Sequence, residues 1–132
     1  MKYLLTIYAD ESRFVDMTPE QSGALMEAYT RFGTEAQEAR VLLGGEGLQP
    51  TATATTVRVR DGETLLTDGP FAETREQLGG YYLLDCRDLD EAASWAARIP
   101  DAAIGAVEVR PVMDYEAMGA EHSSEERGAA QA

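Results

Sequence analysis

Three carboxylates and a cation crowd into nine residues of this chain: Asp68, Glu73, Arg75 and Glu76. Asp68 and Glu73 flank a Gly69-Pro70 pair, whose backbone preferences set a rigid turn at the end of a strand. Carboxylates gathered at a strand end suit general acid/base chemistry, because neighbouring charge and partial burial carry a carboxyl group toward a useful pH. On that reading Asp68 faces a pocket as a general base and Glu73 contacts the ligand. The same residues also support a structural reading, with Asp68 bonding the turn amides and Glu73 solvated.

Other groups extend the candidate ligand-binding set to Tyr8, Tyr29, Glu46, Glu73 and Tyr81. The phenols offer hydrogen bonds to a cavity, although aromatic residues at helix and strand spacing also serve as core. Tyr81 and Tyr82 are adjacent in a strand and point to opposite faces, so one of them at most lines a pocket. Glu46 sits in Gly44-Gly45-Glu46-Gly47. That run lacks the lysine and the strand-to-helix setting of a phosphate loop, and reads as a bend. Arg58, Arg60 and Arg75 suit an anionic ligand or simple exposure. Cys86 stands beside Arg87 but between Asp85 and Asp88, and reads as packing. The carboxylates lack spaced His or Cys companions, so no metal site is expected, and nothing points to a cofactor.

Composition narrows the partners. The formal net charge is −13 over 132 residues. That balance argues against nucleic acid, which needs clustered Lys and Arg, and against an anionic membrane surface. No apolar run approaches the ~18 residues of a membrane span. Tyr3 to Tyr8 reads as a first strand rather than a signal segment. One cysteine, Cys86, cannot close an internal disulfide, which fits a reducing cytoplasm. The length predicts one domain.

The elements that must position these groups follow from periodicity. Residues 2–8 are apolar on both faces and predict a strand that is covered on both sides or sits centrally in a sheet. Phe14 and Val15, in the polar loop after it, are placed to close over a pocket. Thr18-Pro19-Glu20-Gln21 starts a helix over about 18–39, with Leu25, Tyr29, Phe32 and Ala36 as its apolar stripe, widened by Met26 and Gly33. Arg40 stands where a glycine stop is expected. A short strand from Val41 leads into the glycines. Thr51 to Arg60 predicts a strand with Thr56, Arg58 and Arg60 as its wet face, and Asp61-Gly62 a hairpin returning over 63–67. A strand over about 79–86, a helix capped by Asp88 and stopped by Pro100, and a last strand over 103–112 complete the order. From about Tyr115 no periodicity remains, and the acidic tail, 114–132, is expected to be flexible.

Without the hairpin this order is βαββαβ: an α+β, ferredoxin-like arrangement with both helices on one face of an antiparallel sheet. No third helix is expected to cover the other face, so a homodimer packed sheet to sheet, a dimeric α+β barrel, is predicted.

The chain resembles the YCII-related family, in its DGPF-domain branch. The resemblance rests on Asp68-Gly69-Pro70-Phe71-Ala72-Glu73-Thr74, Gln77-Leu78-Gly79-Gly80-Tyr81-Tyr82, Gly44-Gly45-Glu46-Gly47-Leu48 and Val107-Glu108-Val109-Arg110-Pro111, and covers about residues 1–113. It implies a dimeric α+β barrel with a small pocket near the sheet. Some relatives are enzymes of a muconolactone-isomerase-like or dehydrochlorinase type that use a His-Asp pair. This chain departs from that pattern. Its only histidine, His122, lies in the tail, and Tyr29 falls near the register of the first-helix histidine. An imidazole base is therefore missing. Two functions follow as expectations: a small-ligand pocket, with acid/base chemistry of lyase or isomerase type if it turns a substrate over, or a non-catalytic dimeric regulatory module. Relatives encoded beside extracytoplasmic-function sigma factors make a sigma factor a candidate partner for the second.

Overall fold

A computed structural model describes residues 1–119 of the chain. His122 and most of the expected tail lie outside the described residues.

The first strand, β1 (Lys2–Ala9), alternates between buried and half-buried positions. Tyr3, Leu5 and Ile7 enter the core. Leu4, Thr6 and Tyr8 therefore project from the opposite face of the sheet. Helix α1 (Pro19–Glu38) begins where the capping signal puts it. The Thr18 hydroxyl accepts from the Gln21 amide at 3.1 Å, and the Gln21 side chain accepts from the Thr18 amide at 3.0 Å. Its exit is closed without glycine. Arg40 adopts a left-handed φ of 62°, Val41 N donates to the Ala36 carbonyl at 3.1 Å, and Arg40 N donates to the Gln37 carbonyl at 3.0 Å.

Strand β2 (Leu42–Gly47) continues through the glycines, with a register shift between Leu42 and Gly44. Strands β3 (Thr55–Arg60) and β4 (Glu63–Asp68) form a separate two-stranded sheet. Its Asp61-Gly62 turn has positive φ at both residues, 52° and 78°, as a tight hairpin requires. Strand β5 (Gln77–Asp85), helix α2 (Leu89–Ala96), strand β6 (Ala106–Pro111) and one short helix, α3 (Tyr115–Met118), follow. The main sheet has the order β2-β5-β1-β6, antiparallel throughout. The fold is thus mixed α+β.

Both long helices cover one face of that sheet. Phe32 and Ala36 of α1 meet Ala92 and Ala96 of α2, together with Leu5, Leu84, Cys86 and Ile99. The Phe32 ring lies 4.7 Å from Tyr82 and meets Trp95 edge-on at 6.0 Å. Buried aromatic contacts of this kind add to burial rather than replace it. Burial pushes the Cys86 thiol up, reinforced by Glu91 and Asp85, so it behaves as a packing group.

Four details differ from the sequence-based expectations. Met26 is exposed and does not widen the helix stripe. The third strand starts at Thr55 rather than Thr51, because Thr51–Thr53 forms a 3-10 turn whose first residue is held by Glu11. The expected wet face of β3 holds only at Arg60, which is exposed. Thr56 and Arg58 are half-buried: Thr56 donates to the Gly69 carbonyl at 2.8 Å, and Arg58 lies 5.3 Å from the Phe71 ring. Val57 and Val59, each 58% exposed, face outward instead. Finally, Tyr115–Met118 forms a single helical turn capped by Asp114, too short to show a period.

Candidate active site

The end of β1 is where the chain gathers its polar side chains. Asp10 leaves the strand and caps a 3-10 turn, Glu11–Phe14, by accepting from the Ser12 amide at 2.9 Å. Those hydrogen bonds hold the Asp10 carboxyl below its usual range, with a smaller contribution from the Arg75 charge. The turn is tied down at two further points. The Glu11 carboxylate accepts from the Thr51 amide and hydroxyl, each at 2.8 Å, and the Glu11 amide donates to the Gln77 side-chain oxygen at 2.9 Å. Residues 10–15 therefore form a strap across the sheet end.

Under the strap is a cavity of about 700 Å³. Ile7, Ala9 and Gly79 of the sheet, Phe14 and Val15 of the strap, and Leu48 and Pro50 supply its apolar walls. Asp10, Ser12, Gln77 and Asp101 supply its polar groups. Mostly apolar walls with a few converging polar groups are the ordinary make-up of a small-molecule site.

Asp101 is the buried charged residue of this cavity, at 7% exposure. It sits in the turn Pro100–Ala103 after α2, and its backbone carbonyl accepts from Gly105 N at 2.8 Å. Its carboxylate is paired with the Arg13 guanidinium, which also lies over the Phe14 ring at 4.6 Å. Arg13 Nε is buried and has no hydrogen-bond partner among the described residues. Tyr29 stands beside this pair. Burial first, and then the Asp101 carboxylate, push its phenol far above its ordinary value of 10.0. Tyr29 is consequently a hydrogen-bond donor at neutral pH and cannot act as a phenolate base.

A second cavity of about 580 Å³ lies on the other side of the sheet end. Tyr8, Leu78, Pro70, Phe71 and Ala72 line it, and it shares Leu48, Pro50 and Gln77 with the first. The Gly-Pro corner thus borders a hollow through Pro70 and Phe71.

The candidate residues distribute as follows. Tyr8 lines the second cavity, and Tyr29 stands behind Asp101. Asp68 and Glu73 are exposed and line neither cavity. Glu46 is also exposed, and in register it opposes Tyr81, which opposes Thr6. These three lie in one cross-strand row on the face away from the helices. Sequence reasoning missed Asp101, Arg13, Glu11 and Gln77. The available signal was Asp101 itself, a lone carboxylate inside Ile99-Pro100-Asp101-Ala102-Ala103-Ile104. Among the described residues no group of three or more His, Cys, Asp or Glu side chains gathers to hold a metal ion, and no helix is long and apolar enough to cross a membrane.

A one-sided antiparallel sheet with a pocket at its end defines a small α+β domain. The chain belongs to the YCII-related domain family, whose model matches residues 1–116. It is similar to an uncharacterised protein of Rhizobium meliloti (strain 1021), 40% identical over 117 residues that span 87% of this chain and 94% of that one. Among solved structures it is similar to 5-chloro-2-hydroxyhydroquinone dehydrochlorinase (TftG) from Burkholderia phenoliruptrix AC1100 in complex with 2,5-dihydroxybenzoquinone. That match has a TM-score of 0.46 and 11% identity, and covers 86% of this chain and 94% of the other.

Proposed function

We propose that this protein, a member of the DGPF branch of its family, is a homodimer that binds a small neutral or cationic ligand in the cavity beneath the 10–15 strap. The observation that carries the reading is Asp101, a buried carboxylate at the wall of an otherwise apolar cavity. Asp10 and Asp101 both line that cavity, and the cation nearest to Asp101, Arg13, is already paired with it. A small carboxylate ligand would meet like charge there, whereas a phenol, alcohol or amine would find acceptors. Binding without turnover suits these groups: Tyr29 is held protonated, and no histidine is present among residues 1–119.

The strand order supports the dimer. β2-β5-β1-β6, with the hairpin set aside, fits a ferredoxin-like reading, and it leaves Leu4, Thr6, Tyr8, Tyr81 and Leu83 on the face without helices. The Thr6 hydroxyl on that face is buried without a hydrogen-bond partner among the described residues. Two copies packed sheet to sheet would cover these side chains as a dimeric α+β barrel.

The binding test is a thermal-shift and calorimetry panel of small phenols, amines and carboxylates, run on wild type and on Leu48→Trp. Leu48 is partly exposed and borders both cavities, so the larger ring fills space without entering the core. Phenols or amines should raise the wild-type melting temperature, and Leu48→Trp should lose that shift. Binding restricted to carboxylates, or a shift unchanged in Leu48→Trp, would overturn the reading.

A further inference from the structure

We infer that the β3–β4 hairpin is an arm that clasps the second copy of this chain, with Val57, Val59 and Leu66 lying against the partner subunit. The inference rests on the homodimer proposed above and adds a second contact to it.

The hairpin stands apart from the rest of the subunit. Among the described residues its strands pair with each other and join no other strand, and beyond isolated contacts neither packs on the main sheet or on a helix. A lone two-stranded hairpin is marginal in water and needs a further layer to hold its shape. Its two faces differ. One carries Thr56 and Arg58, and turns toward Gly69 and Phe71 of its own chain. The other carries Val57 opposite Leu66 and Val59 opposite Thr64. Val57 and Val59 are 58% exposed and Leu66 is 68% exposed. Three large aliphatic side chains on one face of an unsupported hairpin form a patch that water does not favour.

Charge and area favour a second copy as the occupant. Two chains of net charge −13 repel, so a self-association surface must be charge-poor. The outward hairpin face meets that condition along Thr55, Val57, Val59, Thr64 and Leu66, with Asp68 only at its base. A foreign basic partner would be drawn instead to the acidic surface found elsewhere on the chain. The open face of four strands spans on the order of 400–500 Å², from a strand spacing of about 4.8 Å and about 3.3 Å per residue. A stable interface takes roughly 800 Å² from each partner. As a flat projection the sheet face is smaller than that, and one hairpin face adds roughly 200 Å² by the same geometry, enlarging the contact by close to half.

Sedimentation equilibrium on wild type, Val57→Lys/Leu66→Lys and Leu83→Lys tests the arm. The hairpin lysines lower the net negative charge, so weaker association could not be blamed on added repulsion. The hairpin variant should raise the dimer dissociation constant by about tenfold or more with its circular dichroism unchanged. A wild type that stays monomeric at high micromolar concentration overturns the dimer and the arm together. A dimeric wild type with an unaffected hairpin variant overturns the arm alone, and Leu83→Lys then reports whether the sheet contact stands. If the hairpin variant does not fold, hydrogen exchange of the wild type decides. Amides of residues 55–68 should exchange more slowly in the dimer than after dilution to monomer, and equal rates at both concentrations overturn the arm.

Discussion

Arg13 and Asp101 stand 88 residues apart in the chain and form an ion pair at the wall of the larger cavity. The pair joins the strap that follows β1 to the turn that follows α2. It brings together two segments that neither the sheet nor the helices connect directly, and so fixes the mouth of the cavity.

Removing one partner of this pair leaves the other charged and largely buried. Breaking such a pair costs about 3–5 kcal/mol, whereas replacing both partners by apolar groups costs much less. The Arg13 side chain is one-fifth exposed, which puts Arg13→Met at the low end, about 3 kcal/mol. Arg13→Met/Asp101→Leu should recover most of that loss. Urea denaturation of the two single variants and the double variant measures the coupling, and strictly additive losses would show that the pair is not a unit.

Tyr29 gives the fold an alkaline limit. In the unfolded chain its phenol ionises near 10.0, and in the folded chain it stays protonated well beyond that. Burial raises Tyr82 in the same direction. Below about pH 10 both states carry the proton, so the contribution of Tyr29 to stability is fully present. As pH rises past that point, only the unfolded chain gains by releasing it, and stability falls. Tyr29→Phe should therefore lose less stability than wild type between neutral pH and about pH 11, as read by denaturant midpoints. Parallel curves for the two proteins would place the phenol in a water-like setting.

Much of this fold could be read from local rules. The Thr18–Gln21 capping box, the Asp61-Gly62 turn and the apolar spacing of Phe32, Ala36, Ala92 and Ala96 each depend on near neighbours, and each stands where the pattern puts it. The exposed apolar face of β3 was not legible. Alternation reveals two faces, but which face meets its own chain depends on Phe71 and Gly69, more than ten residues away. The site was less legible still. The Asp68 cluster stands out in the sequence because its carboxylates are neighbours there, yet Asp68 and Glu73 are exposed. Asp101 and Arg13 meet only through tertiary folding, and nothing in the spacing of either residue announces the other.

Gly105 should be far less tolerant than Gly47 of β2. A Cβ at Gly105 would overlap the Tyr8 carbonyl oxygen and lie 3.1 Å from the Ala9 Cα. Both are backbone atoms of the central strand β1, which is paired on each side and cannot give way. Gly105→Ala should cost about 3 kcal/mol, the upper range of overpacking. A Cβ at Gly47 meets nothing within 4 Å, so Gly47→Ala should stay within about 0.5 kcal/mol of wild type. Chemical denaturation of the two variants under one condition separates them, and equal losses would contradict the close approach of the residue before β6 to β1.

Arg40 carries the left-handed position that ends α1, where a side chain with a Cβ is strained. The two hydrogen bonds around it, Val41 to Ala36 and Arg40 to Gln37, use only backbone atoms and would survive substitution. Arg40→Gly relieves roughly 1 kcal/mol of strain. It returns part of that gain through the greater freedom of glycine in the unfolded chain, worth about 0.4–1 kcal/mol. The residue is exposed and makes no salt bridge among the described residues, so little else is lost. The net expectation is a stabilisation of about 0.5 kcal/mol, or roughly 2 °C in melting temperature. Arg40→Ala is the control. It keeps the Cβ, and with it the strain, and should leave the midpoint where it is. A gain equal to that of Arg40→Gly would trace the effect to loss of the arginine charge rather than to the backbone.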